Sequence, residues 1–262
     1  MSKEGQEDIQ LYNELLMFCD EIRTKQKFKF EGNLEFSPLN EQCYEKMYIE
    51  NKGNAHPPKP LTFKEVIPGL KETYSKMARF YFNKRNEMIK GLDIQQGQWF
   101  EKAFRDFLAS KNLQTNKKGY PFPDIEVLKD GKIVAYFELK YIRAPFIYAN
   151  SVFGENRWDY ECSLTLDVGD KLTKQRNKIE KDILPTGIPV FYVWWYDAPH
   201  LKGIFFMKAE EVFSYWDKEG TSHSRKEREG DEIDKQEKGK IYPPLLEMHS
   251  FGEFIEELKC SN

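Results

Sequence analysis

Apolar and polar positions follow two regimes along this chain. From the start to about Leu92 the apolar residues recur at helical spacing. Ile9, Leu15, Leu16, Cys19 and Ile22 predict a first helix. Ser37-Pro38, an N-cap followed by proline at the first helical position, opens a second that runs to about Ile49. The stretch 51–60, NKGNAHPPKP, reads as a loop, and Leu70, Tyr74, Met77, Tyr81 and Met88 mark a third helix between Gly69 and Lys90. That third helix carries Lys71, Lys76, Arg79, Lys84, Arg85 and Lys90 against Glu72 and Glu87, which suits either a phosphate-contacting face or a solvated one.

Near Gly97 the pattern changes. Trp99, Phe100, Ala103, Phe104, Phe107 and Leu108 form the broad apolar face of a buried helix. A polar loop follows. IEVL and IVAYFELKYI then read as two strands joined by a tight turn at 129–132, whose Asp-Gly dipeptide antiparallel hairpins favour. Residues 143–167 are irregular, 168–184 helical, and 188–196 (IPVFYVWWY) a continuous apolar strand of the kind buried on both faces. GIFFM at 203–207 is a further strand, KAEEVFSYW a short helix, and SFGEFIEELK a closing helix. The segment 217–240 is highly charged and nearly without apolar residues, so it is expected to be a flexible loop. Together these elements predict an α/β core over 95–262, preceded by a helical N-terminal region over 1–94.

Composition narrows the function classes. With 262 residues, 15% of them aromatic, the chain can bury a substantial core. No run approaches the ~18 consecutive apolar residues of a membrane span, and the first residues lack a basic start followed by an apolar core, so a soluble cytoplasmic protein is expected. Cys19, Cys43, Cys162 and Cys260 are scattered, as are His56, His200, His223 and His249, which suggests neither a disulfide framework nor a zinc site. The net charge of −3 excludes no nucleic-acid partner, because phosphate contacts come from one face of a protein whatever its average.

The chemistry concentrates in PFPDIEVLKDGKIVAYFELKYI. Pro123-Asp124 precedes the first strand, and Glu138-Leu139-Lys140 ends the apolar run of the second. Side chains two apart on a strand share a face, so Glu138 and Lys140 project together while Phe137, Leu139 and Tyr141 point away. Burying either charge is costly unless it is paired or bound to a metal. Folding the hairpin at 130–131 brings Asp124 near 137–139, where two carboxylates, the Leu139 carbonyl and waters make a hard oxygen site suited to Mg²⁺.

The arrangement resembles the PD-(D/E)XK nuclease superfamily, the restriction-endonuclease-like fold, with Pro123-Asp124 and Glu138-Leu139-Lys140 matching its two signature elements. Helix 97–110, hairpin 124–142, helix 168–184 and strand 188–196 supply the parts of that fold in order, over roughly half the chain. The resemblance implies a mixed central sheet flanked by helices, with Asp124 and Glu138 as metal ligands and Lys140 serving the attacking water. It also implies supporting roles for Glu101 on the first helix and for Gln175 and Lys174 on the later one.

Residues 143–167 follow the motif directly and mix Arg143, Asn150, Asn156 and Arg157 with aromatic side chains. Arginine and asparagine read guanine and adenine edges bidentately, so this insertion is a candidate for DNA contact, as well as for simple packing on the core. The expectation is a Mg²⁺-dependent, sequence-specific double-stranded DNA endonuclease, a prokaryotic type II restriction enzyme acting as a homodimer on a symmetric site. A structure-selective nuclease of repair or recombination is the nearest alternative. A non-catalytic nucleic-acid-binding protein that keeps the fold is the alternative from another class.

Overall fold

A computed structural model of the chain describes residues 3–19, 92–142, 166–198, 201–220, 223–224, 239–243 and 247–260. The helices expected over 37–49 and 69–90 lie outside the described residues, as does most of the 143–167 insertion. Among the described residues no helix is long and apolar enough to cross a membrane.

The elements run α1 (Lys3–Met17), α2 (Leu92–Ser110), β1 (Gln114–Lys117), β2 (Ile125–Lys129), β3 (Lys132–Ile142), β4 (Leu166–Val168), α3 (Asp170–Lys178), β5 (Val190–Ala198), β6 (Leu201–Lys208), α4 (Ala209–Glu219), β7 (His223–Ser224), β8 (Gly239–Ile241) and α5 (Phe251–Cys260). The fold is mixed α/β. Five strands form one mixed sheet in the order β1-β2-β3-β5-β6, and a small second sheet has the order β4-β8-β7.

Three expectations are corrected. The polar loop after α2 contains β1, whose QTNK sequence shows no apolar alternation because three of its four residues are exposed. The irregular stretch 143–167 ends in β4. The charged segment 217–240, expected to be a loop throughout, contains the end of α4, β7 and the start of β8.

The chain divides into two compact units. The first comprises Met1–Phe107, Tyr141–Glu161 and Trp195–Ile204; the second comprises Leu108–Lys140, Cys162–Trp194 and Phe205–Asn262. The first unit is an aromatic core. Trp195 meets Phe100, Tyr141 and Tyr12 edge-on with centroids 5.0, 5.4 and 6.5 Å away, and Phe100 stacks on Tyr141 at 3.8 Å. The buried stripe is Asp8, Tyr12 and Leu15 in α1, continued by Cys19 in the turn just after it. Leu15 and Cys19 were expected there, but Leu16 is only half-buried.

In the second unit α5 covers one face of the sheet. Ser250 and Glu253 form a reciprocal capping box that starts this helix. Its fully buried Phe254 contacts Phe137 of β3, Phe191 of β5 and Phe206 of β6, with centroids 5.5–5.7 Å away. One ring therefore ties a helix to three strands. Phe254→Ala is expected to cost about 3–5 kcal/mol of stability, read as a lower urea midpoint with an unchanged denaturant slope.

The opposite face carries α3 and α4. Leu172, Ile179 and Ile183 are buried there, as their spacing predicts, and Gln175 is buried among them. After Lys178 the helix widens into a π-helical turn over Ile179–Ile183, then a 3-10 turn over Leu184–Thr186 that ends at Gly187, whose φ of 79° suits glycine.

Candidate functional site

The turn between β2 and β3 sets the geometry. Asp130 and Gly131 both have positive φ, 52° and 77°, as a two-residue type I′ hairpin loop requires. From this turn Lys129 pairs with Lys132 and Leu128 with Ile133, but Val127 pairs with Ala135, leaving Val134 as an extra residue on β3. This bulge shifts the register by one. Counted from the turn without it, Asp124 would stand opposite Phe137, a core position; with it, Ile125 pairs with Phe137 and the next step brings Asp124 to Glu138. A one-residue shift exchanges the two faces of a strand, so the bulge decides whether the carboxylates meet. They do meet: the Asp124 backbone N–H donates to Glu138 Oε2 at 3.2 Å.

Glu138 is 2% exposed and held from three directions. Lys140 Nζ lies 2.6 Å from its Oε1, while its Oε2 accepts Gln175 Nε2 at 2.9 Å as well as the Asp124 amide. Tyr192 of β5 completes the group by donating its hydroxyl to Gln175 Oε1 at 2.9 Å. All these residues belong to the second unit.

The two carboxylates titrate in opposite directions. Burial, then the charge of Glu138, raises Asp124 from 3.8 to about 6. Burial acts on Glu138 too, but Lys140, Lys171 and the Gln175 hydrogen bond outweigh it and hold this carboxyl below its usual range. Glu138 is therefore the ionised member, and Asp124 keeps a proton to higher pH. Two converging carboxylates whose repulsion Lys140 and Lys171 offset only in part are what a divalent cation relieves. A pair also fits Mg²⁺, which uses one or two protein carboxylates and fills its shell with water and phosphate oxygens. Among the described residues no group of three or more His, Cys, Asp or Glu is gathered as for a fuller cage.

The structure thus brings together Asp124, Glu138, Lys140 and Gln175. Leu139, half-buried, lies between Glu138 and Lys140 on β3. Lys174 is exposed on α3 beside Gln175, and Glu101 is half-buried on α2, in the first unit. Arg143, Asn150, Asn156 and Arg157 lie outside the described residues. No family model matches the chain, and neither the curated proteins nor the solved structures yield a match.

Three groups at this site escape a reading of the sequence. Tyr192 sits in an unbroken apolar run, where its hydroxyl gives no periodic signal. Lys171, part of a lysine stripe on α3, lowers the pKa of both carboxylates. Lys240, at the end of the charged segment, is buried on β8; burial and then the nearby Lys140 lower its ammonium to about 8. Its one sequence signal is the apolar Ile241-Tyr242 that follows.

Two residues along from Asp124, Glu126 is also buried. It accepts hydrogen bonds from Asn116 at 3.0 Å and Tyr136 at 3.2 Å and pairs with Lys118 at 3.1 Å. Burial works against its charge, yet these partners hold its carboxyl below the usual range. With its partners supplied, Glu126 ties β1 to the hairpin and leaves the open chemistry to Asp124 and Glu138.

Proposed function

We propose that this protein is a Mg²⁺-dependent endonuclease of the PD-(D/E)XK, restriction-endonuclease-like type, cutting double-stranded DNA at specific sequences as a type II restriction enzyme. The observation that carries the reading is the meeting of Asp124 with the buried, ionised Glu138 across a bulged hairpin, with Lys140 2.6 Å from Glu138. Asp124 and Glu138, with the Leu139 carbonyl, would hold Mg²⁺, which when bound supplies polarisation of the phosphoryl oxygens and a more acidic water.

The chain's own residues do the rest. Gln175 and the Asp124 amide fix Glu138, and Glu138 in turn anchors the Lys140 ammonium. That ammonium serves the attacking water or offsets charge developing on the phosphate, as donors fixed beforehand do at low cost. Lys140 and Lys171, with Lys240 near Lys140, supply positive charge that would favour a phosphodiester beside the two carboxylates. A symmetric target would call for a homodimer, and a role against foreign DNA would place the protein in a prokaryotic cytoplasm.

Incubating purified protein with phage and plasmid DNA tests the reading. Discrete fragments in Mg²⁺, absent in EDTA, are expected. Cleavage confined to flaps or junctions would assign it instead to repair or recombination. Binding of DNA without cleavage of any substrate in Mg²⁺ or Mn²⁺ would leave a non-catalytic binding protein.

A further inference from the structure

Glu138 is paired with the Lys140 ammonium at 2.6 Å and so accepts hydrogen bonds as a carboxylate, and the Gln175 atom facing it at 2.9 Å is the amide nitrogen. The amide oxygen then faces Tyr192 at 2.9 Å, and an oxygen has no proton to give. Tyr192 must be the donor. The relay has one direction, from the Tyr192 hydroxyl to Gln175 Oε1 and from Gln175 Nε2 to Glu138 Oε2. Burial, with the charges of Glu138 and Asp124 behind it, keeps the phenol protonated far above its usual range, so the donor stays a donor.

We propose that Tyr192 is a positioning residue. By holding the Gln175 amide with its nitrogen toward β3, it fixes the rotation of the Glu138 carboxylate and thereby the direction in which Glu138 offers an oxygen to a divalent cation. This inference rests on the metal-dependent nuclease reading. A carboxylate has about four lone-pair directions, and Lys140, Gln175 and the Asp124 amide occupy three of those on Glu138. The fourth, where the Asp124 carboxyl also meets Glu138, is the one a cation between the two carboxylates would take, and its direction depends on those three staying in place. Lys140 holds Oε1 from a flexible stem, while on Oε2 the Gln175 bond at 2.9 Å is shorter than that of the Asp124 amide at 3.2 Å, and Tyr192 steadies the Gln175 amide from its other end. Tyr192 lies on β5, the strand next to β3, fully buried, and Phe213 packs against it edge-on at 6.1 Å, which leaves its hydroxyl little freedom.

Without the hydroxyl, the Gln175 oxygen loses its buried partner and the bond to Glu138 alone is left to orient the amide. Partners of this kind, one bond removed from a metal ligand, typically govern affinity about 10–100-fold.

Mn²⁺ titration followed by the electron spin resonance of the free ion tests the inference without DNA or turnover. It compares the wild type, Tyr192→Phe, Gln175→Ala and the double variant, with urea unfolding of each as a check on folding. Tyr192→Phe is expected to weaken Mn²⁺ binding about 10–100-fold. Gln175→Ala should weaken it as much, and the double variant no further than Gln175→Ala alone, because both changes release the same constraint. Mn²⁺ affinity of Tyr192→Phe equal to wild type, or additive effects in the double variant, overturns the inference while leaving wild-type cleavage as evidence for the nuclease. If Tyr192→Phe does not fold, Gln175→Ala decides, and unchanged affinity there overturns it equally. A wild type that takes up no Mn²⁺ overturns both readings.

Discussion

Glu138→Gln and Lys140→Met are each expected to reduce Mg²⁺-dependent DNA cleavage by about 10²–10⁴-fold, the range that positioned acid-base groups and fixed charges contribute. Glutamine keeps the shape of Glu138 but removes the charge, so Lys140 loses its 2.6 Å anchor and Gln175 Nε2 faces an amide instead of a carboxylate. Methionine at 140 keeps most of the stem and removes the ammonium. The two variants should differ in stability even where they agree in rate. Lys140→Met leaves Glu138 buried with less compensation, and breaking a buried pair from one side destabilises because the other charge stays behind. Glu138→Gln removes the buried charge and relieves Asp124 of its repulsion. Single-turnover cleavage of plasmid DNA measures the first effect and urea denaturation the second. Rates within about tenfold of wild type in both variants would exclude the catalytic assignment, since a general acid-base group alone contributes more than that.

What the sequence reveals and what it hides divide along physical lines. The hairpin is legible because Asp130-Gly131 demands positive φ twice and IVAYF supplies an apolar run to bury. The convergence of Asp124 on Glu138 is legible only to within a residue. The extra Val134 is one apolar residue among several, and nothing in its identity announces a bulge, yet it moves Asp124 from Phe137 to Glu138. Helix α3 is legible in its apolar stripe and in the position of Gln175 beside it. The second bond of Gln175 is not, because Tyr192 lies in the run 190–196 of β5, where every residue is apolar or aromatic and no alternation separates the faces. β1 and β8 are hidden for the opposite reason. Their residues are mostly polar, and β1 is paired to β2 while Asn116 and Lys118 serve Glu126 rather than a hydrophobic core. Lys240 shows the limit most clearly, since a lysine at the end of a charged run reads as solvated until a strand buries it.

Asp124→Asn is expected to abolish cleavage and at the same time to make the metal-free protein more stable at pH 7.5. The carboxyl of Asp124 is raised to about 6 from 3.8, so the folded state disfavours its ionised form. The sign follows from proton linkage. Below about pH 4 the group is protonated in both folded and unfolded chains and costs nothing. Between about 4 and 6 the unfolded chain ionises first, and the wild type loses stability as pH rises. Above about 6 the full penalty is present, on the order of 1–3 kcal/mol at 1.36 kcal/mol per pH unit with allowance for partial exposure. Asparagine carries no such charge, so the stability of Asp124→Asn should lack this fall and exceed that of the wild type throughout the neutral range. Mg²⁺ should reverse the order. It stabilises only a folded chain that binds it, by an amount that grows with concentration, and the variant lacks one of the two proposed ligands. Urea unfolding in EDTA and in Mg²⁺, from about pH 4 to pH 8, separates these effects around the pKa of Asp124. A variant less stable than wild type in EDTA at pH 7.5 would show that Asp124 is held by favourable partners rather than strained against Glu138. The carboxylate pair would then be a structural feature, not a site kept at a cost in stability for binding a cation.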